Sequence, residues 1–184
     1  MDKHSLLIDT SIRLFHEKGF HGTPTSLIAK EAGVANGTLF QYFPSKENLI
    51  VEAYISIKEE MASELRINKI TSTNIIDQMK DVFTSSLTWA LDHPLKFDFL
   101  QQFYNSPYHH KLKEQTIKKY DQIHLDLIQE AIEQGAIRSL PANLVYALIS
   151  SHTYGLYQYL RVASLDQRKE VIDTGFELLM KMLT

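Results

Sequence analysis

Apolar residues recur at helical spacing along the whole chain, and no stretch alternates long enough to predict a strand. The first predicted helix runs from Lys3 to Lys18, with Leu7, Ser11, Leu14 and Phe15 on one face and Gly19 as its C-terminal cap. Thr23-Pro24 predicts the next start, threonine accepting from the first-turn amides and proline occupying the first helical position. That short helix carries Leu27, Ile28 and Ala32 and stops near Gly33. A third runs from Asn36 to Tyr42 and ends before Pro44. Ser45 then caps a long helix with the stripe Leu49, Ala53, Ile57, Met61 and Leu65, ending near Asn68. Further helices are expected over Asn74–Asp92, Pro94–Asn105, Tyr108–Gln134, Ala142–Ala163 and Asp166–Leu183, with breaks at His93-Pro94, Ser106-Pro107, Gly135 and Pro141. The pattern predicts an all-α fold of about nine helices, a small three-helix domain over 1–48 and a larger helical domain over 49–184.

Composition excludes several classes of protein. At 184 residues, 44% hydrophobic and 10% aromatic, the chain can bury a sizeable core. The most apolar stretch, Ala142–Ala163, is interrupted by Asn143, Ser150, Ser151, His152, Gln158 and Arg161, so it reads as a buried helix and not a membrane span. Charges scattered through Met1–Lys18 leave no signal-peptide core, and a cytoplasmic protein is expected. Without cysteine there are no disulfides or thiolate metal sites. His109 and His110 point about 100° apart on a helix and cannot chelate together, so neither metal nor cofactor is expected. Lys111, Lys113, Lys118 and Lys119 read as a solvated helix face. No nucleophile–base pair, phosphate-cradling glycine loop or carboxylate cluster argues for an enzyme.

Charge does not argue for nucleic acid either. The net charge is −3, and in the first 48 residues Lys3, Arg13, Lys18, Lys30 and Lys46 are balanced by Asp2, Asp9, Glu17, Glu31 and Glu47. The case rests on residues 23–43, which read as helix, tight turn, helix. Gly33 stands at the sharp turn, Val34 fills the angle, and Ile28, Leu39 and Phe43 form a small shared core. Asn36, Gly37, Thr38 and Gln41 face away, small or polar, suited to base edges in a major groove.

In this segment the chain resembles the DNA-binding domain of the TetR family, the tetracycline-repressor-like regulators. The landmarks are Leu14-Phe15, Gly19-Phe20, Thr23, Ile28-Ala29, Ala32-Gly33-Val34, Gly37-Thr38-Leu39-Phe40, Tyr42-Phe43 and Ser45-Lys46-Glu47, with a weaker echo at Gly135-Ala136-Ile137-Arg138. The resemblance implies phosphate contacts from Thr23 and Thr25, groove contacts from Asn36, Gly37, Thr38 and Gln41, and a backbone grip from Tyr42 and Lys46. Tyr42 can alternatively pack its ring in the core. Phe40 stands where the family commonly has tyrosine, removing a phosphate-bonding hydroxyl. Ala35 replaces a common serine cap, which leaves Asn36 either to cap or to read a base.

The same resemblance implies a ligand-responsive homodimer, a repressor released from a palindromic operator by a small molecule. The interface candidates are Leu144, Leu148, Ser151, Gly155 and Tyr159 on the penultimate helix, and Val171, Phe176, Leu179 and Leu183 on the last. The alternative is that these stripes pack within one subunit. Trp89, Phe99, Phe103, Tyr104, Tyr120, His124 and Tyr154 are candidates to line a pocket for an apolar or aromatic effector, or else to be ordinary core.

Overall fold

A computed structural model describes residues 2–67, 72–112 and 114–184. Among these are nine α-helices, one 3-10 turn and no strand. The contacts group into two compact units, one made of the chain up to Ala62 with His93–Ile117, the other of Ser63–Asp92 with Lys118–Thr184.

The first unit begins with α1 (Lys3–Gly22), whose N-terminus is capped by the Asp2 carboxylate accepting from Ser5 N–H at 2.9 Å. That bond holds the Asp2 pKa below the usual carboxylate value. Leu7, Ser11, Leu14 and Phe15 are all buried, as the spacing predicts. Gly19 takes φ +72° and interrupts the helix, after which Phe20–Gly22 add one more turn. α2 (Thr25–Glu31) and α3 (Asn36–Tyr42) follow, and α2 packs on both α1 and α3. α4 (Lys46–Ile67) starts under Ser45, whose hydroxyl accepts from Asn48 N–H at 3.2 Å. Leu49, Ala53, Ile57 and Met61 form its buried stripe, widened by Ile50 and Tyr54. Its expected end, Asn68, lies outside the described residues.

α6 (Pro94–Tyr104) belongs to this unit and lies against α1. Phe20 meets Phe99 edge-on at 5.4 Å, and Tyr54 of α4 stacks on Phe103 at 4.3 Å. Lys96 clasps the Glu60 carboxylate at 2.6 Å, a second tie between α6 and α4.

In the second unit, α5 (Ile75–Asp92) is capped by Asn74, whose side-chain oxygen accepts from Ile76 and Asp77 N–H at 2.9 and 3.2 Å. It buries Ile75, Met79, Phe83, Leu87 and Ala90. α7 (Glu114–Glu133), α8 (Ala142–Leu160) and α9 (Leu165–Leu183) complete the helices, and α5 packs on both α8 and α9. Gly135, at φ +69°, closes α7: its N–H bonds Ile132 O at 3.0 Å and Ala136 N–H bonds Ala131 O at 2.9 Å. Arg138 N–H then donates to Leu183 O at 2.7 Å, fastening the loop to the end of α9.

Two sequence expectations need correction. The helix expected over Tyr108–Gln134 is a 3-10 turn, His109–Lys111, an extended Leu112, and then α7. Ser106 causes the break, accepting from Tyr108 N–H at 3.2 Å while donating to Phe103 O at 2.7 Å, which turns the chain before a helix can form. The lysine run is divided accordingly: Lys111 pairs with Glu47 at 2.5 Å, Lys119 lies over the Tyr120 ring, and Lys113 is outside the described residues.

Thr23 is the second correction. It does not cap α2, where Pro24 occupies the cap position without a side-chain bond. Its side chain is fully buried and its hydroxyl donates to Leu14 O at 3.1 Å and Gly19 O at 2.8 Å, capping the broken end of α1 instead. Thr23→Val keeps the shape and removes the donor. Urea denaturation should show a loss of about 1–2 kcal/mol; an unchanged midpoint would mean these bonds add no net stability.

Candidate nucleic-acid interface

α2 and α3 are seven residues each, too short to hold helical form alone, so their geometry depends on the turn between them and on what lies beneath. Gly33 has φ +67°, with its N–H on Lys30 O at 3.1 Å and Val34 N–H on Ala29 O at 2.9 Å. This pair of bonds ends α2 and redirects the chain into α3. Ile28, Leu39 and Phe43 are buried to 1% exposure or less, while Val34 is half-buried at their edge. The small core expected from sequence is present.

With Leu39 and Phe43 turned inward, the other side of α3 is open. Asn36, Gly37, Phe40, Gln41 and Tyr42 are exposed and Thr38 is half-buried. Ala35 holds the cap position without a side-chain bond, so Asn36 begins the helix with its side chain uncommitted to capping. Tyr42 is 44% exposed and its ring meets His4 edge-on at 6.0 Å, so it is not a core residue. Thr25, at the start of α2, is half-buried, whereas Thr23 is fully buried with its hydroxyl committed to Leu14 O and Gly19 O and not available to a phosphate.

The charge near this face is arranged more favourably than the neutral count suggests. Arg13 holds Glu31 and Glu17, each at 3.3 Å, and Lys111 holds Glu47. Lys30 and Lys46 pair with no carboxylate among the described residues, and partial burial lowers the Lys46 pKa from its ordinary value. An α3 face free of carboxylates, flanked by unpaired lysines, suits a polyanionic backbone.

The comparisons with known proteins agree with this geometry. Residues 7–53 match the family described as "Bacterial regulatory proteins, tetR family", and residues 54–178 match "Tetracyclin repressor-like, C-terminal domain". The chain belongs to the tetR family. It is therefore a DNA-binding transcription regulator. The Bacillus subtilis fatty acid metabolism regulator protein is 39% identical over 59 residues, a match spanning 32% of this chain and only 29% of that protein. The transcriptional repressor KstR2 of Mycobacterium tuberculosis is 24% identical over 161 residues, 84% of this chain and 80% of the relative. A solved tetR-family regulator from Shewanella sp. PV-4 superposes with a TM-score of 0.87 at 27% identity, covering 100% of this chain and 98% of that one.

The other sequence-derived sites of this tetR-family chain separate by unit. Of the pocket candidates, Phe99, Phe103 and Tyr104 lie in the first unit, where Phe99 and Phe103 are fully buried beside Phe15, Phe20 and Tyr54. Trp89, Tyr120, His124 and Tyr154 lie in the second, so neither unit alone contains the set. His124 stacks on Tyr146 at 5.7 Å, and Tyr146 donates to the buried Asp121 at 3.0 Å, a polar group that periodicity alone did not reveal.

Of the interface candidates, Leu144, Ser151, Gly155 and Tyr159 are exposed along one face of α8, and Leu148 is half-buried. Phe176 and Leu179 are buried inside the unit, with Phe176 against Phe83 at 5.6 Å, so these two are internal core. Leu183 is likewise buried and Val171 half-buried. The exposed apolar residues of α9 are instead Leu178 and Met182. The glycine that lets α8 and α9 approach within the unit is Gly175, where a Cβ would collide with Leu156.

Gly33 gives the sharpest test of the turn. A Cβ there meets nothing within 4 Å, so substitution is opposed by backbone conformation alone. Gly33→Ala should cost about 1–2 kcal/mol in thermal or chemical denaturation, and Gly33→Asn less, since asparagine tolerates this region. Equal losses for the two would refute the backbone explanation.

Proposed function

We propose that this regulator is a homodimer that binds a palindromic operator through α3 and is released by a small molecule, acting as a repressor in the cytoplasm. The observation that carries the DNA reading is the exposed Asn36–Gly37–Thr38–Gln41 face standing on a fully buried Leu39 and Phe43. Gln41, Thr38 and Asn36 read base edges; Thr25, Tyr42 and Lys46 contact the backbone; Gly37 allows close approach. Phe40, 43% exposed, supplies apolar contact without a hydroxyl. The domains are the reading head over 1–48 and the body over 49–184.

Dimerisation follows from the size of α3. Two turns of helix make few contacts, and a second head about 34–36 Å away doubles them and imposes two-fold symmetry on the site. The support on the body is a set of exposed apolar side chains: Leu144 and Tyr159 of α8, Val162 just after it, and Leu178 and Met182 of α9 are between 41% and 87% exposed. The effector site is proposed at Trp89, Tyr120 and His124 and takes an apolar or aromatic molecule. Signal then passes along the chain: α5 leads into α6 across the single residue His93, and α6 is tied to α1 and α4 by Phe99, Phe103 and Lys96. The effector shifts this equilibrium only as far as its affinities for the two states differ.

The test is fluorescence anisotropy with DNA from upstream of the protein's own gene. Nanomolar binding that weakens steeply with salt is expected. Lys46→Ala should weaken all sequences alike, by roughly tenfold, and lower the salt slope by about one, while Gln41→Ala should change preference at particular base pairs. A uniform loss from both removes Gln41 from base reading, and weak binding indifferent to sequence refutes a specific operator.

The dimer is tested separately. Leu178→Glu places a charge on an exposed position and should leave the helical circular dichroism intact. Sedimentation should then report a monomer, and operator affinity should fall at least tenfold. A Leu178→Glu protein that remains dimeric would place the interface elsewhere.

A further inference from the structure

Three rings meet where the start of α1 passes the end of α3, all within the first unit. His4 lies 4.9 Å from Phe43 and 6.0 Å from Tyr42, the second contact nearly edge-on at 67°. Tyr42 and Phe43 are themselves 6.3 Å apart. These separations fall in the range where aromatic pairs attract. Phe43 is sealed in the core and Tyr42 is open to solvent, so His4 joins a fixed ring to an exposed one.

His4 is itself held in place. Asp2 accepts from Ser5 N–H at 2.9 Å and from the Ser5 hydroxyl at 3.3 Å, closing the first turn of α1 around His4. Leu7 and Ile8 anchor the next turn in the core. Tyr42 is less well supported by its own helix. It is the last residue of α3, and the backbone leaves helical geometry at Phe43, with φ −128° and ψ 103°. A half-exposed tyrosine at a helix end samples several rotamers, and fixing one of them on binding costs affinity. A ring packed beside it narrows that choice beforehand.

We propose that His4 is a positioning residue for DNA binding: packed on Phe43, it holds the Tyr42 ring so that the Tyr42 hydroxyl is directed at a backbone phosphate before DNA arrives. The inference rests on Tyr42 gripping the DNA backbone, as proposed above. His4 acts through the shape of its ring, so a phenyl ring serves as well as an imidazole. A phosphate contact carries no sequence information, so the effect is the same on every duplex.

Fluorescence anisotropy of the full chain, with the upstream DNA and with an unrelated duplex of equal length, tests it. His4→Ala should keep the helical circular dichroism and weaken both duplexes alike, by about three- to tenfold. His4→Phe should restore nearly all of that loss. Tyr42→Phe, which removes only the hydroxyl, should weaken both duplexes, and adding His4→Ala to it should cost little more. In the DNA-free protein, the Tyr42 ring resonances, identified by their loss in Tyr42→Phe, should move toward the values of a freely rotating tyrosine in His4→Ala and stay dispersed in His4→Phe. Wild-type affinity in His4→Ala, an equal loss in His4→Phe, a full additional loss in the double variant, or unmoved Tyr42 resonances each overturns the proposal while leaving the Tyr42 grip standing. If the wild type binds neither duplex, or Tyr42→Phe binds as tightly as wild type, the grip itself falls and this inference with it. A wild type that binds both duplexes equally refutes only the specific operator, because either duplex reports the phosphate contact.

Discussion

The first unit depends on one aromatic cluster. Phe15 and Phe20 of α1, Tyr54 of α4, and Phe99 and Phe103 of α6 touch in succession, with ring separations of 4.3 to 6.5 Å. Each ring removes a large apolar area from water, and the offset and edge-on contacts add directional preference. Two seven-residue helices cannot nucleate and persist alone. They stand because α1, held by this cluster, presents a fixed surface for α2. The outward face of α3 consequently takes its order from side chains buried elsewhere in the unit.

The same cluster ties α6 to α1 and α4, although α6 lies beyond α5 in sequence. Burial of Phe99 and Phe103, reinforced by the Lys96–Glu60 clasp, makes any displacement of α6 costly unless α1 and α4 move with it. Close-packed aromatic contacts deform little, so they transmit a shift as rigid-body motion and do not absorb it. The second unit is built differently. Its helices bury a Leu/Ile/Phe core, yet α5 and α9 separate along a polar seam, and α8 and α9 leave an apolar face to the outside. Apolar groups facing outward run against the usual burial preference.

Much of this was legible from residue order because it is governed by local backbone chemistry. Gly33 and Gly135 end their helices with positive φ and the same pair of hydrogen bonds, and Ser45 caps α4 as its position predicts. Thr23 was misread because Thr-Pro before a helix carries the same signal whether the hydroxyl faces forward to α2 or back to α1. The burial of Phe176 and Leu179 was not legible for a related reason. An amphipathic helix with apolar residues on two sides does not say which side meets its own subunit, and Phe176 and Leu179 could equally have been the outer pair.

The order of residues alone therefore determined the all-α class, most helix boundaries, the tight turn at Gly33 and the outward set on α3. These follow from 3.6-residue periodicity and from backbone preferences confined to a few neighbours. Only tertiary structure decided that Thr23 is buried, that α6 groups with α1 to α4, and that Arg168 buries an Nε with no partner among the described residues. Each of these depends on burial by residues distant in sequence, and burial is a property of the assembled helices that no local pattern contains.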